Sequence, residues 1–465
     1  MLFILAMMWS CSFLGDRKKK QYIPVEVDLT NEVGKFEGLG ANVPISFFSR
    51  RMKALQTFND LNIKYIRVKR EAENWDDILA LRSSTSRLGI KWIYSIDEIP
   101  PTFLNEYGRL SDVRGFAGWW AEEVDELLYQ DVPADFIELL DTPDLTGGDS
   151  LSLSSDLYNK LIHATREELD LRDFQDVSII GPGLSSPDIS GDLETWYMGL
   201  DQVAFEMLPY WSVHTWEEVS KGEGVGLRLT NLLDYLDQID SRKPIFASSY
   251  ATSQSTFADQ VYPDPDQYDV LGNLNTFETY YYSATFTMPY ALRVYSNTLN
   301  LLKHKQVIPF LYQLYDAPAD VKYKKKSWGL LDLNGVAKPV FTLLSQLMKR
   351  VPDKAILIPG AEISELDLNV LTFKSSQQVS VTIINESISE KSLQVSLSGA
   401  GRSLEFKSAI TCFAPELFPV ELGKRDDVEV EELELKVKYD SDNDAYSFHL
   451  TMQPQSTFVG EFLYK

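Results

Sequence analysis

The stretch from Asp135 to Asp144, DFIELLDTPD, sets a short apolar run against a polar turn. Phe136, Ile137, Leu139 and Leu140 predict a buried strand, and Asp141-Thr142-Pro143-Asp144 follows it. Pro143 ends the ladder because it has no N–H to donate. Strands that end in polar turns are where barrel enzymes place their chemistry. Other chemistry-bearing residues stand at the predicted ends of apolar runs in the same way: Arg67, Asp97, His214 with Trp216, Tyr250, and Tyr312-Gln313 with Asp316. Aromatic faces beside planar polar side chains are what a sugar ring requires. Asp141 and Asp97 could form a carboxylate pair for general acid–base work. Ser249 and His214, on adjacent predicted strands, could imitate a hydrolase triad with an Asp, although no Gly-x-Ser-x-Gly elbow is present. Glu217 and Glu218 could lend a carboxylate, but they read better as the solvated start of a helix.

The elements that must position these groups alternate along the chain. Strands are predicted at Tyr22–Asp28, Tyr65–Val68, Lys91–Ile96, the DFIELLDTPD run, Val177–Ile180, Tyr210–His214, Pro244–Tyr250 and Val307–Asp316. Helical spacing runs through Ser49–Leu61, Trp75–Leu88, the Phe116–Leu128 face, Ser155–Leu171, Glu194–Leu208, Leu227–Ile239, Phe277–Leu302 and Pro339–Met348. This is an α/β pattern, and periodicity alone leaves open both a (β/α)8 barrel and a doubly wound sheet. From about Val351 the period becomes two, as in Val379/Val381/Ile383, Leu393/Val395/Leu397, Leu433/Leu435/Val437/Tyr439 and Tyr446/Phe448/Leu450. With the turn Ser441-Asp442-Asn443-Asp444, this predicts an antiparallel β-sandwich.

A chain of 465 residues is too long for one ordinary core, so two domains are expected. The net charge of −24 repels phosphate backbones and anionic lipid, which argues against a nucleic-acid partner. Two cysteines, Cys11 and Cys412, and four scattered histidines support neither a disulfide framework nor a metal site, and no cofactor is expected. Gly222-x-Gly224-x-Gly226 reads as a loop and not as a dinucleotide fingerprint. Leu2–Trp9 is apolar but too short to span a bilayer as a helix. Followed by Ser10-Cys11, it resembles the end of a loose bacterial lipoprotein signal, with Cys11 as the lipidated residue. No basic residue precedes the run, and Arg17-Lys18-Lys19-Lys20 follows it. Residues 1–20 are therefore expected to be a signal-like segment, and a lipid at Cys11 the only route to a membrane.

In order along the chain, several segments resemble the clan A retaining glycoside hydrolases, of the glucosylceramidase and xylanase type. Phe36-Glu37-Gly38-Leu39-Gly40-Ala41-Asn42 is similar to the family's first-strand opening, Arg67 to the Arg of its second strand, and Asp97-Glu98-Ile99-Pro100-Pro101 to its Pro-rich third loop. Trp328-Gly329-Leu330-Leu331…Lys338-Pro339 is similar to the signature after the eighth strand. The resemblance implies a (β/α)8 TIM barrel over residues 33–350 and a β-sandwich built from 21–32 plus 351–465. In that family the fourth strand ends in Asn-Glu-Pro, whose Glu is the acid/base, and the seventh in Lys-Pro-x-x-x-Thr-Glu-Tyr, whose Glu is the nucleophile. The two carboxyl groups stand roughly 5–5.5 Å apart.

Here the matching positions read Asp141-Thr142-Pro143 and Ser248-Ser249-Tyr250, so the acid/base position is Thr142 and the nucleophile position is Ser249. Neither hydroxyl can do the carboxylate's work, and losing general acid catalysis alone costs about 10²–10⁴-fold. Asp141 stands where the family's Asn binds the sugar hydroxyl next to the scissile bond. By resemblance, several of Arg67, Asp97, His214, Trp216, Tyr250, Tyr312 and Gln313 line the sugar subsite. The expectation is a glycoside hydrolase-like protein that has lost retaining hydrolysis and binds a carbohydrate ligand at the barrel mouth, exported to the periplasm or cell surface. The alternatives are an active glycosidase or transglycosylase using displaced residues such as Asp141, and a structural or adhesive surface protein.

Overall fold

The computed structural model describes residues 21–45, 54–69, 75–143, 153–184, 196, 199–215, 233–234, 236, 243–250, 284–304, 306–316, 329–332, 334–360, 367–415 and 426–465. The signal-like segment with Cys11, Trp216, Glu217, Glu218, the Gly222–Gly226 loop and Trp328 lie outside these residues. After β1 (Ile23–Asp28) and β2 (Gly34–Lys35), strands and helices alternate. They are β3 (Leu39–Asn42), α1 (Ala54–Asp60), β4 (Ile63–Lys69), α2 (Trp75–Thr85), β5 (Lys91–Ser95), α3 (Val113–Tyr129), β6 (Phe136–Glu138) and α4 (Ser155–Leu171). Next come β7 (Ser178–Ile180), α5 (Gln202–Met207), β8 (Trp211–His214), β9 (Ile245–Tyr250), α6 (Met288–Leu302), β10 (Val307–Leu311) and α7 (Pro339–Met348).

Strands β3 to β10 form one parallel eight-stranded sheet in the order β7-β6-β5-β4-β3-β10-β9-β8. Its two ends meet. Leu184, just after β7, bridges Val213 of β8, and the His214 N–H donates to the Leu184 carbonyl at 2.8 Å. A sheet that closes on itself is a barrel, which decides between the two α/β architectures that periodicity left open.

Side chains inside the barrel are stacked in layers by the period of two. Tyr65, Ile93, Phe136, Ile180, Phe246, Ile308 and Phe310 form an apolar plug, with Tyr210 packed against it. Gly40 leaves room for the Phe310 ring, because a Cβ there would stand 2.5 Å from it. Two residues further along their strands, the plug residues give way to Arg67, Ser95, Glu138 and Ser212, all buried and all polar. Apolar floor and polar upper layer therefore come from one alternation. On the outside, the apolar stripe of α4 (Tyr158, Leu161, Ile162, Leu169) is buried, and Ser154 caps the helix by accepting the Leu157 N–H at 3.3 Å.

The remaining strands are β11 (Ile356–Pro359), β12 (Leu368–Lys374), β13 (Gln378–Asn385), β14 (Lys391–Ser398), β15 (Leu404–Phe413), β16 (Glu429–Glu432), β17 (Lys438–Asp440), β18 (Ala445–Met452) and β19 (Ser456–Tyr464). They make a four-stranded sheet, β1-β14-β18-β17, and a seven-stranded sheet, β16-β15-β19-β13-β12-β11-β2. One face of the larger sheet meets the smaller across Val25, Val381, Val395, Phe448 and Phe458. Its other face adds Leu371, Phe373, Ile384, Ile410 and Val459 to the barrel's core. Polar contacts cross the same seam: Tyr295 Oη lies 2.8 Å from Thr382 Oγ1, and Lys303 Nζ donates to Asn369 Oδ1 at 2.5 Å.

Four expectations are corrected. The helix expected over Glu194–Leu208 is interrupted, because Asp201 accepts the Ala204 N–H and starts α5 afresh at Gln202. The helix expected from Phe277 begins at Met288 among the described residues, with Pro289 in its first turn, where a missing N–H is harmless. The run Leu433–Tyr439 is not one strand. Its chain crosses from β16 in one sheet to β17 in the other, while Leu433, Leu435 and Val437 still pack on the sandwich interior. Lastly, the sandwich is not wholly antiparallel, since β1 pairs parallel with β14.

Candidate functional site

The polar layer converges at the C-terminal ends of the barrel strands, where Arg67 is the hub. Its guanidinium is 1% exposed. Nε donates to Glu138 Oε2 at 2.8 Å, and Nη2 also contacts that oxygen. Nη1 reaches Asn42 Oδ1 at 3.2 Å, and Nη2 reaches Ser95 Oγ at 3.0 Å and Asp141 Oδ1 at 2.6 Å. The second oxygen of Glu138 accepts from the Ser212 hydroxyl across the barrel. Gly183 presses against this carboxylate, and a Cβ there would stand 2.7 Å from Glu138 Oε1. Taking these charges out of water is costly, and the fork geometry with satisfied lone pairs offsets that cost.

Asp141 lies one step nearer solvent and is nearly buried. Three cationic or basic groups meet its two oxygens. Arg67 is at 2.6 Å and His214 Nε2 at 2.7 Å on Oδ1, while Lys69 Nζ is at 2.7 Å on Oδ2. Burial by itself would push this carboxyl's pKa up. Arg67, then His214 and Lys69, reverse that and hold it well below the usual carboxylate range. Lys69 also pairs with Asp97 Oδ1 at 2.5 Å. Burial works against its charge, yet Asp141 and Asp97 prevail and raise its pKa, with a smaller pull from Tyr312. Lys69 is about one-third exposed and Asp97 more than half exposed, so this pair is the part of the network that faces solvent.

Thr142 adopts φ +49, an outlier for a β-branched residue, and its N–H donates to the Gly183 carbonyl at 2.8 Å. Ser249 is paired through its backbone with His214 across an irregularity in the β8–β9 register. The side chains of Ser249 and Tyr250 lie outside the described residues. Gln313 is buried after β10, and its Nε2 has no hydrogen-bond partner among the described residues. Tyr312 is half-buried beside it. Among the described residues no group of three His, Cys, Asp or Glu side chains is arranged to hold a metal ion.

Of the residues singled out from sequence, Arg67, Asp97, Asp141 and His214 therefore share one network. Glu138, Lys69, Asn42, Ser95 and Ser212 belong to it and were not singled out. A signal was present for one of them: Glu138 is a lone ionisable residue inside the apolar run Phe136–Leu140, where a charge needs a partner.

The sequence matches no family model, and no curated protein sequence matches it. Solved structures do share the fold. A GH30 endoxylanase from Clostridium papyrosolvens C71 aligns with a TM-score of 0.64 at 12% identity, covering 94% of this chain and 99% of that one. The GH39 enzyme from Xanthomonas axonopodis pv. citri gives 0.60 at 10% identity, covering 97% and 100%. An endo-β1,6-glucanase gives 0.61 at 10% identity, covering 96% and 94%. The chain therefore has the glycoside hydrolase-like fold, a TIM barrel joined to a β-sandwich, over nearly its full length.

Proposed function

We propose that the protein binds carbohydrate at the mouth of its barrel and does not hydrolyse it by a retaining mechanism. One observation carries this reading. The carboxylate at the end of β6, Asp141, is held as an anion by Arg67, His214 and Lys69, so it has no proton to give to a leaving oxygen. The residue after it, in the acid/base position, is Thr142, and the nucleophile position is Ser249. What remains is suited to recognition: a partly exposed Lys–Asp pair, and a buried amide at Gln313 whose Nε2 has no partner among the described residues and could be satisfied by a sugar hydroxyl. The fold neighbours include a xylanase and a β1,6-glucanase, which makes neutral β-linked glycans the first ligands to try. Export with a lipid on Cys11 belongs to the same reading and rests on the Leu2–Cys11 run alone.

A second reading has its own observation. Asp97 and Asp141 contact the same ammonium, Lys69, so their near oxygens are no farther apart than the roughly 5–5.5 Å of a retaining pair. They would form the displaced catalytic pair.

Calorimetric titration with xylohexaose and gentiotetraose, alongside hydrolysis assays on 4-nitrophenyl β-glycosides, separates the readings. Binding that is weakened by Trp216→Ala, without turnover, is the expected result. Turnover abolished by Asp141→Asn would establish the displaced pair. Silence in both assays would leave a structural or adhesive protein.

A further inference from the structure

We infer that Lys69 is a ligand-recognition residue of the barrel mouth, donating to one hydroxyl of a sugar while its ion-pair partner Asp97 accepts from the neighbouring one. The inference rests on the carbohydrate-binding reading and names the groups that carry its specificity. Three facts support it. Lys69 ends β4 two residues after Arg67, so the period of two puts it on the same inward side, one layer closer to solvent. Its ammonium is held from two directions, by Asp141 at 2.7 Å and Asp97 at 2.5 Å, and so is fixed before any ligand arrives. Of the network's ionisable groups, Arg67, Glu138, Asp141 and His214 are buried, whereas Lys69 and Asp97 keep solvent-facing surface. A ligand entering the mouth therefore meets a donor and an acceptor side by side.

That arrangement matches a vicinal diol. An ammonium has three N–H groups, so two ion-pair contacts leave one for a hydroxyl oxygen. Asp97 touches Lys69 through one oxygen, and its acceptor capacity exceeds that single contact. Because both hydrogen bonds are charge-assisted, each carries more affinity than a neutral contact. Asp141 serves here as the anchor that keeps Lys69 in place.

The test compares wild type, Lys69→Met, Lys69→Arg and Asp97→Asn by titration calorimetry with xylohexaose and gentiotetraose, with thermal melts as a check on folding. The expected result is binding by wild type that is about 10- to 100-fold weaker in Lys69→Met, the loss that follows removal of a charged hydrogen-bond partner. Lys69→Arg should recover part of the affinity, and Asp97→Asn should lose a similar amount with an unchanged melt, since Asp97 is the more exposed partner. Wild-type binding that Lys69→Met leaves unaltered overturns the role of Lys69 and spares the carbohydrate-binding reading. No wild-type binding to either oligosaccharide overturns both. Should Lys69→Met fail to fold, Asp97→Asn decides, and unchanged affinity in that variant overturns the inference.

Discussion

Arg67 Nη2 stands 2.6 Å from Asp141 Oδ1, while the same guanidinium is forked onto Glu138 one layer deeper in the barrel. One buried cation thus fixes two carboxylates that lie three residues apart on the same segment. Its position follows from strand register, because β4 and β6 flank β5 and their inward side chains meet inside the barrel. The consequence is chemical. A carboxylate so placed is a good anchor and a poor acid.

The pH dependence of stability checks this directly. Asp141 has a folded pKa well below its ordinary 3.8, so its stabilising effect is fully present above that value and is lost as pH falls beneath it. Wild type should be more stable than Asp141→Asn in urea at pH 5, and the gap should narrow as pH falls below 3.8. A protonated-carboxyl infrared band at pH 5 that vanishes in the Asn variant would show the opposite, a carboxyl able to donate.

Removing the hub should be severe. Arg67→Met leaves Glu138 buried without its cation, an uncompensated charge that costs about 3–5 kcal/mol in comparable pairs. Arg67→Met with Glu138→Leu should recover much of that loss, because an apolar pair of similar volume needs no desolvation. Urea midpoints of the two variants measure the difference. Equal stability of the single and double variants would mean that Glu138 is not charged when Arg67 is absent.

The strand ends were legible in sequence because each apolar run stops at a polar turn; the alternation of the runs gave an α/β pattern, and the family resemblance alone pointed to the barrel. Glu138 was not legible by that route. In FIELL the apolar neighbours define the strand, and a charged residue among them looks like an interruption. Yet Phe136 and Glu138 share the inward side, while Ile137 packs outward with the helices. Lys69 was missed because it follows Val68 at a predicted strand end, where a lysine is ordinarily solvated. Only the register that brings Asp97 and Asp141 to it shows otherwise. Local capping explains the helix at Asp201, whose side chain competes with a continuous helical period.

The seam between barrel and sandwich carries its own titration. Burial lowers the Lys303 ammonium's pKa from 10.5 to about 8, and its hydrogen-bond acceptor is the neutral amide of Asn369. Between those values the unfolded chain binds more protons than the folded one, so stability rises with pH across the window. Relative to Lys303→Met, wild type should gain stability from pH 8 to pH 10.5, by of order 3 kcal/mol. A flat difference would show that the ammonium reaches solvent.

The proposed loss of the catalytic pair offers the most direct experiment on function. If the barrel has lost retaining hydrolysis because residues 142 and 249 carry no carboxyl groups, restoring them should restore turnover. Thr142→Glu with Ser249→Glu is expected to hydrolyse 4-nitrophenyl β-xyloside or β-glucoside measurably above wild type. Each single variant should stay at background, because nucleophile and acid act as a unit. The left-handed φ of +49 at Thr142 makes Glu there no worse than the β-branched residue it replaces, so folding should survive and a thermal melt will confirm it. Turnover in the double variant alone would identify the two substitutions as the cause of the loss. Equal activity in wild type and double variant, removed by Asp141→Asn, would move the chemistry to the Asp97–Asp141 pair.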